Sequence, residues 1–353
     1  MVSRHIKLGK YRRQSPRRRP AGAIRLPAGR GRAIGDGNVG QSNRERHMEA
    51  NDQDLGIAGI RAQLAQRASL AKGIAMSWPE IRAGMDAATA LIPPAAGCSS
   101  TPRDVGGVPG EEVVFGDAAP AGTILFLHGG GYVMGGPQTH RTLSSRFAKA
   151  TRAAVVVIDY RLAPEHPFPA ALDDAEAAYR ALLAEGRTAD RIVIAGDSAG
   201  GGLALALALR LKALGLPQPA GLFVISPWTD LLQSSDTCVS KAASDPIISK
   251  EGLDAMAGAY LGGAAGDDPL ASPVRGDFAG IAPMLIHVGA EEVLLGDSIA
   301  LAGAAGAAGA GVRLEIWPEM IHVWHAFADR LAPARDAIAV AATWINERLA
   351  AAR

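Results

Sequence analysis

Apolar residues recur along this chain in two different rhythms. From Met48 to Pro93 they fall three or four residues apart: Leu55, Ile57, Ile60 and Leu64, then Leu70, Ile74 and Met76, then Ile81, Met85 and Leu91. That spacing lays the apolar side chains on one helical face. Pro79 and Pro93-Pro94 punctuate it, so two or three helices are expected, followed by a loop over residues 95–110. Beyond that point the texture changes to short β-rich runs separated by longer helical stretches. The pattern predicts strands over residues 112–115, 123–127, 154–158, 191–195, 221–225, 284–288 and 312–317. It predicts helices over 141–150, 170–185, 201–214, 294–308 and 334–351. Most of these strands are continuous apolar runs, as in a largely parallel sheet covered by helices on both faces. The fold class expected is therefore α/β.

Two stretches depart from the alternation. Residues 230–278 are rich in Ser, Asp and Gly, with one short helix expected near 251–260, and read as an excursion over the rim of the sheet. The Gly/Ala run 302–311 is low in complexity, but its flanks make it a helix packed closely on the sheet and ended by Gly309 and Gly311. No internal repeat is visible. A length of 353 residues with 48% hydrophobic and 20% charged residues gives a chain able to build a large core. The two cysteines, Cys98 and Cys238, allow at most one disulfide and exclude a multi-cysteine metal site, which fits a reducing cytoplasm. No apolar run is long enough to span a membrane, the longest being Leu203 to Leu209.

Charge separates the chain into unlike pieces. Residues 1–47 hold thirteen Lys/Arg against two Asp/Glu, so the remainder has 23 basic and 33 acidic residues and a net charge of −10. With Arg12-Arg13, Arg17-Arg18-Arg19 and little hydrophobic periodicity, residues 1–47 are expected to be a disordered basic extension. A nucleic-acid or lipid-binding arm and a transit segment are alternatives. The preferred expectation is that the protein begins at Met48, where acidic, helix-forming sequence starts. The remainder divides into a helical cap with its linker, 48–110, and a catalytic domain, 111–353.

The strongest chemical signal is Gly196-Asp197-Ser198-Ala199-Gly200 between a predicted strand and a predicted helix. G-x-S-x-G in that setting holds a serine hydroxyl at a strained turn above a sheet, with glycines allowing neighbouring backbone to come close. The helix that follows turns its positive end toward the site. A second signal, His128-Gly129-Gly130-Gly131, follows the strand 123–127. Consecutive glycines leave N–H groups free to converge on an oxyanion. Neither the Gly-Lys-Ser/Thr of a phosphate loop nor a helix-opening dinucleotide pattern accompanies them.

A serine needs a base. His5 and His47 lie in the basic extension, His128 in the glycine loop, His140 and His166 in connecting segments, and His287 inside a strand. His322 and His325 follow the last strand, where the chain order serine, acid, histidine puts the base. His322 is chosen, and His325 is expected in the pocket wall. The orienting acid should follow the strand 284–288, which leaves Glu291, Glu292 and Asp297.

With these residues in place, the chain resembles the hormone-sensitive-lipase-like α/β-hydrolases, the bacterial family IV esterases. The blocks that carry the resemblance are His128-Gly129-Gly130-Gly131, the segment Asp159-Tyr160-Arg161-Leu162-Ala163-Pro164-Glu165 with His166-Pro167-Phe168-Pro169-Ala170, and Gly196-Asp197-Ser198-Ala199-Gly200. The match runs over roughly residues 110–350, with a weaker one to the N-terminal helical cap. It implies Ser198 as nucleophile, His322 as base, and an oxyanion hole from Ala199 N–H and two of Gly129, Gly130 and Gly131, the last two foremost. Many members carry Asp-Pro-Leu where this chain has Glu292-Val293-Leu294, so Glu292 is placed ahead of Glu291 as the acid. The resemblance also implies that the helices of 48–93 cover the site, with Ile74, Met76, Trp78, Ile81 and Met85 shaping a pocket or packing the core. Arg161 and Glu165 are expected to pair and brace the surrounding loops.

The activity implied is hydrolysis of short-chain acyl esters, acetyl esters among them, or of lactones, through an acyl-enzyme and without cofactor or metal. An amidase or deacetylase on the same triad is the close alternative, and a catalytically silent ligand-binding protein the distant one. The partner expected is a small-molecule ester, with no nucleic acid and no membrane span. A homodimer is compatible with this reading.

Overall fold

The computed structural model describes residues 54–71 and 76–351. The basic extension 1–47, the start at Met48 and the cap residue Ile74 lie outside them. Two cap helices come first, α1 (Gly56–Ala71) and α2 (Trp78–Ala90). Pro79 sits in the first turn of α2, where its missing N–H costs no hydrogen bond, and Glu80 reaches back to the Ser77 N–H at 2.8 Å.

Eight strands follow in one sheet: β1 (Cys98–Asp104), β2 (Pro109–Phe115), β3 (Thr123–Leu127), β4 (Ala154–Ile158), β5 (Ile192–Asp197), β6 (Gly221–Ile225), β7 (Met284–Gly289) and β8 (Val312–Trp317). Their spatial order is β1-β2-β4-β3-β5-β6-β7-β8. The pairs β1–β2 and β2–β4 are antiparallel and the other five are parallel. The connecting helices are α3 (Pro137–Thr151), α4 (Ala170–Ala184), α5 (Ala199–Ala213), α6 (Thr237–Ser240), α7 (Lys250–Leu261), α8 (Leu295–Ala307) and α9 (Ala332–Ala350).

Strand side chains alternate between two cores. Leu125, Leu127, Val156, Ile158, Ile192, Ile194, Leu222 and Val224 pack with α4, α5 and α8. Ile124, Phe126, Val155, Val157, Val193, Phe223 and Leu285 pack with α3 and α9. Both faces being covered is what makes β3 to β7 read as unbroken apolar runs. Each fully buried Leu, Ile or Phe contributes about 1.5–3 kcal/mol relative to its exposed state. Among the described residues no helix is long and apolar enough to cross a membrane.

Two expectations need correction here. Strand β1 lies within the segment read as a loop and linker. Its sequence, Cys-Ser-Ser-Thr-Pro-Arg-Asp, is polar and mostly exposed, because as an edge strand it pairs on one side only, and there Pro102 is tolerated. The expected Arg161–Glu165 pair does not form. Arg161 grips Asp174 of α4 at 2.7 and 3.0 Å. Glu165 instead receives the guanidinium of Arg82 at 2.7 and 3.0 Å.

Arg82 also donates to the carbonyls of Val133 at 2.7 Å and Ala163 at 2.8 Å, which ties α2 down onto the loops above the sheet. Hydrogen bonds of this kind contribute about 1–3 kcal/mol together. Arg82→Ala is expected to make the segment around α2 markedly more sensitive to limited proteolysis while the global melting temperature falls by only a few degrees. Unchanged cleavage there would contradict this anchoring.

Candidate active site

The strand order reverses beside β3: the chain passes from β3 to β4 on one side, then crosses to β5 on the other. In open α/β sheets the crevice at the carboxyl ends of two such strands is where ligands bind. Leu127 of β3 is in register with Gly196 of β5, so the segments leaving these strands, His128–Gly131 and Asp197–Ser198, emerge side by side.

Ser198 joins β5 to α5 with φ 54° and ψ −122°, a backbone conformation costing of order 1–3 kcal/mol in a non-glycine residue. It is held from both sides. Its N–H donates to the Ile225 carbonyl at 2.8 Å, and its carbonyl accepts the Trp228 N–H at 2.9 Å. The tight turn requires Gly200, because a Cβ there would sit 2.0 Å from the Leu127 carbonyl oxygen.

In the facing loop, Gly131 has φ 62°, and a Cβ on it would lie 2.1 Å from the Met256 sulfur. The N–H groups of Gly130, Gly131 and Ala199 donate no hydrogen bond among the described residues. Gly129 differs: its N–H donates to Asp197 Oδ1 at 3.0 Å, which takes it out of the expected oxyanion set.

His322 lies in the loop after β8 and Glu292 in the turn after β7, the neighbouring strand. His322 Nδ1 is 2.9 Å from Glu292 Oε2, with both residues buried. Nδ1 is therefore the protonated donor and Nε2 the nitrogen left to the cavity. The other carboxylate oxygen, Oε1, accepts from the Gly289 N–H at 2.5 Å and the Ser226 hydroxyl at 2.8 Å. Burial disfavours the imidazolium of His322, but the hydrogen bond and charge of Glu292 outweigh it and raise the pKa above the ordinary value.

The rival acids lie elsewhere. Glu291 is on the surface, 3.6 Å from Lys241 Nζ. Asp297 is buried and accepts the Thr229 and Asp230 N–H groups at 2.8 and 3.0 Å, its pKa pushed up to about 7 by burial.

Ser198, His322 and Gly129 to Gly131 line one cavity of 430 Å³. The rest of its wall is largely apolar and includes α2 (Met85, Thr89), α3 (Thr139, His140, Leu143), Trp228 and the excursion after β6 (Ile247, Ile248, Leu253, Met256). No hydrogen bond joins Ser198 to His322 among the described residues; serine–histidine contacts commonly tighten only when substrate binds. His325 does not reach this wall. The short helical turn Trp324–Phe327 rotates it toward β7, where Nε2 meets His287 Nδ1 at 3.1 Å.

Sequence reasoning passed over His140, which α3 carries into the cavity wall beside Asp197, their nearest atoms 3.2 Å apart. Burial lowers and Asp197 raises the His140 pKa, the second prevailing; the Asp197 carboxyl, raised by burial, is brought below its usual range chiefly by His140. Each side chain thus favours the charged form of the other, and Asp197 also holds the glycine loop through the Gly129 N–H. The only sequence signal was the position of Asp197 inside the serine motif.

Residues 124–326 match the profile of a family described by the alpha/beta hydrolase fold. The chain is 47% identical over 224 residues to an acetyl-hydrolase of Streptomyces hygroscopicus, covering 64% of this chain and 75% of that protein. It is 35% identical over 260 residues to an esterase of Acinetobacter venetianus, covering 73% and 86%. A hormone-sensitive lipase from a metagenome library superposes with a TM-score of 0.81 at 43% identity, over 84% of this chain and 99% of that one. EstE5, solved after soaking with p-nitrophenyl butyrate, gives 0.80 at 41% identity, over 83% and 98%.

The Glu292 contact makes a prediction that NMR of labelled histidine can check. His322 should titrate above the ordinary imidazole value in the intact protein. In Glu292→Gln, burial is opposed only by the more distant charges of Asp245 and Asp197, and the titration should move down. An unmoved resonance would show that Glu292 does not set the charge of His322.

Proposed function

We propose that this chain, which belongs to the α/β-hydrolase fold family and within it to the hormone-sensitive-lipase-like esterases, hydrolyses short-chain carboxylic esters through a Ser198-His322-Glu292 triad. One observation carries the reading. A serine in a strained turn shares a cavity with Gly130 and Gly131, whose N–H groups donate no hydrogen bond among the described residues, and with a histidine whose far nitrogen is fixed by a buried glutamate.

In the first half-reaction Ser198 Oγ forms a bond to the ester carbonyl carbon while its proton passes to His322 Nε2. The carbonyl oxygen becomes an oxyanion facing the N–H groups of Gly130, Gly131 and Ala199, with the positive end of α5 behind them. Glu292 keeps the Nδ1 proton in place and stabilises the imidazolium without taking its proton. The carbon–alkoxy bond then breaks, and the alcohol leaves with the proton that His322 returns. Water repeats the sequence on the acyl-Ser198: His322 accepts its proton, the carbon–Oγ bond breaks, and Ser198 recovers a proton as the acid departs.

The acetyl-hydrolase relative supports a short acyl group, and the mostly apolar cavity supports a substrate whose ester group is its main polar feature. An acid limb is expected in kcat/KM. The rate should fall as pH drops through the raised pKa of His322, because the protonated ring cannot accept the Ser198 proton.

A panel of p-nitrophenyl esters of increasing acyl length, set beside matching anilides, tests the reading. Turnover should be greatest for short esters, and Ser198→Ala should lower it by about 10⁴-fold or more. Glu292→Gln should lower kcat by about 10⁴-fold and Glu291→Gln hardly at all. Full turnover in Ser198→Ala, or equal losses in the two glutamate variants, would refute the assignment. Anilides hydrolysed faster than esters would make the protein an amidase.

A further inference from the structure

Ser226 directly follows the strand β6 and lies between Glu292 and His322 of the proposed triad, although it does not itself line the cavity. Its hydroxyl donates to Glu292 Oε1 at 2.8 Å and accepts the N–H of Val323, the residue after His322, at 3.2 Å. Its own N–H donates to the His287 carbonyl of β7 at 2.7 Å. The residue is fully buried.

Both ends of this bridge hold unusual backbone. Ser226 has φ 47° and Val323 has φ 49°. Left-handed conformations are disfavoured for any L side chain and more so for a β-branched one such as valine. A hydroxyl that links two strained residues across different loops is over-determined by its surroundings, which is how such conformations persist at functional sites.

We propose that Ser226 is a positioning residue of the triad: its hydroxyl fixes the roll of the Glu292 carboxylate so that Oε2 faces His322 Nδ1, and through Val323 it fixes the loop that carries the ring. The Gly289 N–H, also on Oε1, anchors the carboxylate from one side only. With the serine donor removed, Oε1 has a single partner and the carboxylate can turn about its last torsion. The ionisable side chains at the bridge are Glu292 and His322, and the carboxylates of Asp245 and Asp197 also raise the His322 pKa from further away; both remain in every variant below. The neighbouring pair His287 and His325 is held neutral by burial, with pKa values well below the ordinary one, and adds no charge. This inference rests on the triad reading above.

The test uses the full chain with a short p-nitrophenyl ester. Ser226→Ala should lower kcat by about tenfold or more, the loss typical of one hydrogen bond to a charged group, with KM nearly unchanged. The acid limb of kcat/KM should move to lower pH, in the same direction as in Glu292→Gln, because His322 is less well served by its counter-charge. Ser226→Gly removes the same hydroxyl but suits the left-handed backbone, so it should reproduce the alanine result. In the Glu292→Gln background the serine substitution should cost almost nothing more.

An unmoved acid limb, a wild-type glycine variant, or a loss that adds fully to that of Glu292→Gln would overturn the role of the hydroxyl. Thermal melts of each variant show whether a loss comes from unfolding. Full activity in Glu292→Gln would instead refute the triad reading itself. An impaired Glu292→Gln beside an unaffected Ser226→Ala would refute the positioning role alone.

Discussion

Two strand ends approach each other as closely as backbone permits. Leu127 ends β3 beside Gly196 of β5, and the turn into α5 folds back so far that residue 200 has no room for a β-carbon against the Leu127 carbonyl. Everything chemical in the molecule depends on that approach. It brings the glycine loop over the serine turn and aims the start of α5 at the same point. It also puts Ser198 in a strained conformation held by hydrogen bonds to Ile225, Trp228 and Gly202. The remaining parallel strands extend the arrangement sideways: the segments after β6, β7 and β8 carry Ser226, Glu292 and His322 in turn. Glu292 and His322 therefore meet, both buried, just beyond the ends of neighbouring strands.

Charge is allotted with equal economy inside the protein. Among the described residues four histidines are buried and His140 is nearly so, and what separates the five is whether a carboxylate lies against a ring nitrogen in the interior. His322 with Glu292 and His140 with Asp197 keep raised pKa values despite burial. His128, stacked on Tyr160 at 4.0 Å, is pulled down to about 3 by burial and by the charge of His140. His287 is lowered to a similar value and His325 well below its ordinary one. Glu315 reaches His287 at 3.3 Å from a half-exposed position, where water competes for its charge.

Much of the fold was legible because the buried strands are both short and apolar: β3, β4 and β6 fall on the expected residues, as does the partly exposed β8, whose apolar residues alternate with Arg313 and Glu315. The catalytic-looking motifs were legible because strained turns demand glycine, and glycine clusters stand out. What escaped was relational. β1 is polar because solvent lies on its far side, so no hydrophobic rhythm marks it. Arg161 and Glu165 lie within one turn of each other in sequence, yet each finds its partner on a different helix, in Asp174 and Arg82. The orientation of His325 depends on a single helical turn after His322, and periodicity could not say which of the two rings it would point inward. His140 and Ser226 each touch the site through a residue distant in sequence, and no local pattern encodes such a contact.

Helix α2 carries Arg82, Met85 and Thr89 along one side at intervals of three and four. The first clasps carbonyls of the loops beneath, and the other two form part of the ceiling over the cavity. Attachment and shape are therefore assigned to separate positions on the same surface of one element. A lineage can trade the residues that a substrate would meet while leaving the clasp alone, and the machinery below need not register the exchange. Diversification of what such a scaffold accepts is in this sense local to its roof, and the reacting groups are insulated from it.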